Sequence, residues 1–176
     1  MCAIQIEPVI ETQRLRLRRP RMTDAPRVAK LLNDRELARM TKAIPHPYGL
    51  EDAQAYLAQA DDADPQAMAT FVIDHPEQGP IGVIGFDSED GRTEMGCWIG
   101  RPFWNLGFAT EAAEGALVWA HRDWKRRYVL ARHFSDNPAS ASVLCKTGFL
   151  YTGEVRLSPS AARGEAVPSR MMVWLA

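Results

Sequence analysis

Residues 93–122 read TEMGCWIGRPFWNLGFATEAAEGALVWAHR, and this stretch decides the fold. Thr93 to Gly100 reads as a strand. Phe108 to Arg122 is the best helix in the chain, because Ala109, Ala112, Ala113, Ala116, Leu117 and Ala120 recur with helical spacing. A stripe of alanines lets a helix axis come very close to whatever it covers. Between the two elements lies Trp104-Asn-Leu-Gly-Phe-Ala-Thr110, with Gly107 just ahead of the helix. A helix N-terminus carries N–H groups without intrahelical partners and a partial positive charge, which together favour an anion such as a pyrophosphate. Gly107 and Ala109 are small enough for phosphates to reach the backbone. Taken alone, the run reads first as an ordinary helix entry with a glycine in its turn.

Working outward, Thr70–Asp74 and Ile81–Phe86 are short strands. The turn-rich stretches 75–80 and 88–91 join them to Thr93–Gly100, which predicts an antiparallel meander. Further upstream, residues 15–19 (LRLRR) alternate and Pro20 closes them, so Arg14, Arg16 and Arg18 are expected on the solvent face of a first strand. Thr23 or Asp24 offers an N-cap to a helix running from Ala25 to about Asn33. The stretch from Met40 to Tyr48 is a loop, and Glu51–Ala60 a second helix stopped by the polar DDADP. Downstream, Tyr128–Phe134 is a strand. Asn137-Pro138 opens a helix, Asn as N-cap and Pro at the first helical position, and Gly148 ends it. Leu150–Leu157 and Arg170–Leu175 are final strands around a Ser-, Ala-, Pro- and Gly-rich loop. With no internal repeat and no linker, residues 1–176 are read as one domain.

Composition narrows the class. The chain has 176 residues, 46% apolar and 24% charged, which is ordinary globular composition. Its 21 Lys and Arg nearly cancel 22 Asp and Glu, so no global field calls for nucleic acid or a membrane surface. Cys2, Cys97 and Cys145 form no CxxC pair, which argues against a disulfide framework or a structural metal and fits a reducing cytoplasm. No signal peptide is evident and no apolar run approaches a membrane span. A soluble cytoplasmic protein is expected, as a monomer or homodimer.

Several pieces resemble the GNAT N-acetyltransferase superfamily, and most closely its RimJ/RimL branch. Glu94-Met-Gly-Cys-Trp-Ile99 and Trp104-Asn-Leu-Gly-Phe-Ala-Thr-Glu-Ala112 are similar to the branch's E-I-G-Y-W-I and W-G-K-G-Y-A-T-E-A. Thr12-Gln-Arg-Leu-Arg-Leu-Arg18 with Thr23-Asp24 resembles its opening, and Asn137-Pro-Ala-Ser140 with Cys145-Lys-Thr-Gly-Phe149 its later N-x-x-S and E-K-x-G-F. The four pieces fall in the family's order over most of the chain. The resemblance implies an α/β (α+β) fold with a central mixed, mostly antiparallel sheet of about seven strands and about four helices. It also implies an enzyme that transfers an acetyl group from acetyl-CoA to a primary amine, without a metal.

It further implies a site. Main-chain N–H groups around Trp104, Asn105, Leu106, Gly107, Phe108, Ala109 and Thr110 would hold the pyrophosphate. The backbone of Trp98, Ile99 and Gly100 would pair with the pantetheine arm, and Asn137 and Lys146 would add contacts. Two departures stand out. Asn105-Leu106 replaces a Gly followed by a basic residue, so a cation near the phosphates is missing and weaker affinity is expected. Leu144 stands where many members carry a Tyr that protonates the departing thiolate.

For the chemistry, Glu94 is the first candidate for general base, beside an oxyanion contact from the Trp98–Gly100 strand. Ser140 and Ser142 are candidates for relaying a proton or bonding the thiolate. His133 is read as structural. The acceptor groove is expected between the loop carrying His46 and Tyr48 and the Ser158–Ser169 loop. With no obvious strong base, a protein N-terminal α-amine suits the site best: near pH 7.5 about a quarter to a third of it is neutral, against roughly 0.1% of a lysine. A small amine such as an aminoglycoside or polyamine is the alternative acceptor, and a non-catalytic acyl-CoA-binding module the alternative class.

Overall fold

The computed structural model describes residues 8–89 and 91–176; Cys2 lies outside them. The strands are β1 (Ile10–Glu11), β2 (Arg16–Arg18), β3 (Met68–His75), β4 (Gly79–Glu89), β5 (Arg92–Ile99), β6 (Tyr128–Phe134), β7 (Leu150–Ser160) and β8 (Glu165–Leu175). They form one sheet in the order β1-β2-β3-β4-β5-β6-β8-β7. All neighbours are antiparallel except β5 and β6. The helices are α1 (Ala25–Leu32), α2 (Arg35–Ala38), α3 (Leu50–Asp62), α4 (Phe108–Arg122) and α5 (Pro138–Lys146).

Alternate residues of β5 sort the helices into two layers. Met95 and Ile99 join the core built on Ala112, Ala113, Ala116, Leu117 and Ala120 of α4 and Leu144 of α5. Trp98, pointing the other way, packs on the cluster of Val28 and Leu32 from α1, Leu37 from α2, and Ala53 and Leu57 from α3. Ala112, Ala113, Ala116 and Ala120 of α4 are fully buried against the sheet, while Ala109 at its start is half-buried.

The eighth strand and fifth helix are elements too short for periodicity to show. β1 has two residues. α2 has four and exists because the Asp34 carboxylate accepts from the Glu36 and Leu37 N–H groups. The expected Ser158–Ser169 loop is instead mostly hairpin. β7 and β8 run on to a tight turn at residues 161–164, and Ser158, Ser160 and Ser169 are buried. The Ser158 and Ser169 hydroxyls bond each other at 2.6 Å, which lets small polar residues continue the strands inside the fold.

Two further expectations change for an electrostatic reason. Asp24 does not cap α1 with its side chain; its carboxylate accepts from Nη1 and Nη2 of Arg18 (2.9 and 2.8 Å) and from the Arg21 N–H (2.8 Å). Burial works to raise this carboxyl, but the bonds from Arg18 and Arg21 outweigh it and hold it below its ordinary value. Arg18 also donates to Asp74 at 2.9 Å, so it lies inside the fold, not on the solvent face of the first strand. Asn137 caps α5 as read from the sequence, accepting from the Ser140 N–H at 3.1 Å, and Gly148 closes that helix with a left-handed backbone (φ 89°).

Candidate active site

The sheet divides at the β5–β6 pair. β5 is registered to β4 along its whole length, and β6 to β8, but β5 and β6 are bridged only at Glu94–Leu130 and Met95–Ala131. Beyond Met95 the two strands diverge and leave a notch. Gly100 donates its N–H to Ile81 O at 2.8 Å, which fixes the ladder phase: Trp98 and Gly100 turn their backbone groups to β4, while Cys97 and Ile99 turn theirs into the notch. The free edge is thus carried by Cys97 and Ile99: of the expected Trp98, Ile99 and Gly100, Ile99 faces the notch and the other two face β4. The indole N–H of Trp104 donates to Ile99 O at 2.6 Å and ties the next loop to this edge. A Cβ at Gly96 would meet nothing within 4 Å, so the sheet face it shares with Glu94 and Trp98 is open at this residue.

The loop from Trp104 to Gly107 leads from the notch to the start of α4. Gly107 is the N-cap residue with φ 81°, and Asn105 also has positive φ (61°), so the loop curls with its backbone outward. Glu111 is the first residue of α4 to bond back, to Gly107 O at 3.1 Å, leaving the N–H groups of Phe108, Ala109 and Thr110 without intrahelical acceptors. Asn105, Leu106 and Gly107 are exposed, while Phe108 is buried and anchors the turn. A run of outward N–H groups at a helix N-terminus beside an open strand edge fits a phosphate-bearing, amide-containing ligand such as acetyl-CoA.

The sequence reading missed the role of Arg14. Its Nε donates to Glu111 Oε2 at 2.7 Å, Nη1 to Leu106 O at 3.1 Å, and its guanidinium lies over the Phe108 ring at 4.6 Å. Glu111 Oε1 also accepts from the Arg14 N–H and from Thr12 Oγ1 (2.6 and 2.7 Å). Partial burial works to raise the Glu111 carboxyl, yet these bonds hold it below its ordinary value. Arg14 lies in the bend before β2, and its alternation with Leu15 could not show a partner 97 residues away.

Glu94 lies on β5 at the last stretch of parallel pairing and is not a free carboxylate. Arg132 of β6 donates through Nε and Nη2 to its two oxygens, and through Nη1 to Ser158 Oγ at 3.2 Å. Glu94 in turn raises Arg132 above the usual guanidinium value against its partial burial. Arg132 is a second member of the site that local sequence did not reveal. His133 is buried, its Nδ1 on Phe134 O (2.8 Å) and its Nε2 on the Tyr151 hydroxyl (3.0 Å). A carbonyl can only accept, so Nδ1 carries the proton and Tyr151 donates to Nε2, which agrees with the structural reading of this histidine.

The remaining candidates are placed less evenly. Asn137 and Ser140 sit together at the start of α5, Ser140 half-buried and Ser142 exposed. Lys146 is exposed at the far end of the same helix, roughly 13 Å along the axis from Asn137, so the helix does not bring the two together. Leu144 is buried in the core. Tyr48 is a core residue, 6% exposed; burial first, and then Asp52, push its hydroxyl up to about 12. His46 is exposed. Cys97 opens to the notch yet has protein packed densely around it, and this desolvation pushes its thiol up to about 12. Among the described residues no cluster of His, Cys, Asp and Glu could hold a metal, and no helix is long and apolar enough to cross a membrane.

A mixed sheet that splays beside a glycine-led helix N-terminus is the architecture of an acyl-CoA-dependent acyltransferase. Residues 14–150 match the family model for the acetyltransferase (GNAT) domain. The chain is 27% identical over 150 residues to an uncharacterised N-acetyltransferase p20 of Bacillus licheniformis, covering 82% of this chain and 84% of that one. Among solved structures, Mycobacterium smegmatis RimJ in complex with CoA-disulfide superposes with a TM-score of 0.85 at 16% identity, covering 97% and 88% of the two chains. Spermidine N-acetyltransferase from Vibrio cholerae, in complex with CoA and spermine, gives 0.78 at 17% identity, covering 92% and 95%. The chain belongs to the GNAT acetyltransferase family and is an acetyl-CoA-dependent N-acetyltransferase.

Proposed function

We propose that the enzyme acetylates a protein N-terminal α-amine. The observation that carries this reading is the state of Glu94. Both of its oxygens already accept hydrogen bonds from Arg132, so no side-chain carboxylate stands free as a base, and the site suits an amine of which a sizeable fraction is neutral without help. Acetyl-CoA supplies the activated thioester carbonyl. The chain's own residues supply the rest: the N–H groups of residues 108–110 face the phosphates, and the free edge of Cys97 and Ile99 meets the pantetheine amides. Glu94, on the same strand three residues before that edge, is the candidate to accept, through water, the one proton that the amine loses as the carbon–sulfur bond breaks. Ser140, at the mouth of α5, is the candidate for returning a proton to the thiolate.

One surface feature supports this choice over a polyamine. Where the β7–β8 turn meets α2, three arginines (Arg35, Arg39 and Arg163) stand with two glutamates (Glu36 and Glu165), which gives a polycation no acidic bed there. The likeness to RimJ points the same way, whereas the likeness to spermidine N-acetyltransferase keeps the small-amine class in the test.

Thiol release from acetyl-CoA should be followed with peptides bearing a free N-terminus, the same peptides N-terminally blocked but containing lysine, spermidine, and an aminoglycoside. The expected result is turnover confined to the free N-termini. Turnover on spermidine or the aminoglycoside alone would replace this reading with the small-amine one.

A further inference from the structure

We propose that Arg14 is the positioning residue of the phosphate loop, holding the loop's backbone from the bend before β2 and neutralising the carboxylate beneath it. The proposal rests on the assignment of residues 104–110 as the acetyl-CoA phosphate site.

Three observations carry it. The first is reach. Arg14 touches the loop and the first turn of α4 at successive points: Nη1 on Leu106 O, Nη2 3.4 Å from where a Gly107 Cβ would stand, the guanidinium over Phe108, and Nε on Glu111. The second is backbone conformation. Asn105 and Gly107 both take positive φ, and a non-glycine residue there is held only if its surroundings fix it. Arg14 on the Leu106 carbonyl, between these two residues, and the Trp104 indole on Ile99 O fix it from either side.

The third is charge. Glu111 lies in the first turn of α4, one turn from the N–H groups that would receive two phosphate charges, and it is ionised at neutral pH. An unpaired carboxylate at that distance opposes an incoming anion. Arg14 cancels it with a direct ion pair in which Glu111 is only 13% exposed, while 44% of the arginine side chain remains open to solvent and to a ligand. Arg14 therefore acts twice, by shaping the loop and by neutralising the carboxylate beneath it.

The test uses the full chain and two acetyl donors, acetyl-CoA and acetyl-pantetheine, which lacks every phosphate. For Arg14→Ala the expected result is at least a tenfold rise in Kd and KM for acetyl-CoA, kcat changing less than KM, and kcat/KM for acetyl-pantetheine unchanged. Arg14→Lys, which keeps the charge but not the forked contact, should fall between. Adding Glu111→Gln to Arg14→Ala should recover part of the lost affinity, because the uncovered carboxylate is then gone. Circular dichroism and thermal melting check that each variant is folded, and Arg14→Lys decides the matter if Arg14→Ala is not. An unchanged Kd in Arg14→Lys and Arg14→Ala, or an equal loss with both donors, would overturn the role of Arg14 while leaving the loop assignment standing. Failure of the unmutated protein to bind CoA would overturn the loop assignment, and this proposal with it.

Discussion

Replacing Gly107 tests the loop most directly, because the structure separates two costs there. The residue has φ 81°, which an L-residue enters at about 1–2 kcal/mol. A Cβ would meet only the Arg14 Nη2 group at 3.4 Å, an ordinary contact with the far end of a flexible side chain. Gly107→Ala should therefore destabilise the fold by about 1–2 kcal/mol, lowering the melting temperature by roughly 2–8 °C for a chain of this size. Its effect on acetyl-CoA should be larger, because the methyl group stands where the phosphates approach: at least a tenfold higher Kd, or about 1.4 kcal/mol. Gly107→Arg carries the same torsional cost but fills the site and should abolish binding. Calorimetric titration with acetyl-CoA, paired with thermal melts, reads both quantities. A folded Gly107→Arg protein that binds acetyl-CoA like the unmutated chain would refute the assignment of residues 104–110.

Three further outcomes are expected. Asp24→Asn should cost about 3 kcal/mol near pH 7, since it breaks a buried pair while Arg18 keeps Asp74; because the folded Asp24 carboxyl lies below its ordinary value, its stabilisation is present above about pH 4 and lost as pH falls through the folded value, so urea titrations should converge for the two proteins in strong acid. Cys97 should resist iodoacetamide at pH 8 despite its exposure, with a thiol near 12 leaving only about one molecule in ten thousand as thiolate; mass spectrometry of the labelled peptide, against the fast reaction of a model thiol, measures this. Leu144→Tyr should not add a general acid but overfill the core at a cost of about 1–3 kcal/mol, read as a fall in melting temperature with no gain in kcat.

The parts of the fold legible in the sequence are those with long local signals. The helix from Phe108 to Arg122 and the strand from Tyr128 to Phe134 have the boundaries the periodicity predicts, and Asn137 and Gly148 bracket α5 as their backbone chemistry requires. What escaped was either too short to have a period, as with β1 and α2, or depended on a partner far along the chain. Arg14 and Glu111, Arg18 and Asp74, and Glu94 and Arg132 are each joined by topology alone, so a strand pattern assigns their side chains to solvent when they are in fact paired. The Ser158–Ser169 segment misled for a third reason: serines that bond each other can line the inside of a hairpin, although their composition matches a loop.

The division of the sheet also has a mechanical meaning. Two bridged residue pairs are the whole ladder connection between a five-stranded slab (β1 to β5) and a three-stranded one (β6, β8 and β7). The seam is thus the thinnest line of the sheet's hydrogen-bond ladder, and a ligand that bonds the amides of Cys97 and Ile99 works as a strut beside it. Hydrogen exchange at those two amides, slow in the presence of acetyl-CoA and fast without it, would make the seam a direct gauge of occupancy, readable before any acceptor is known.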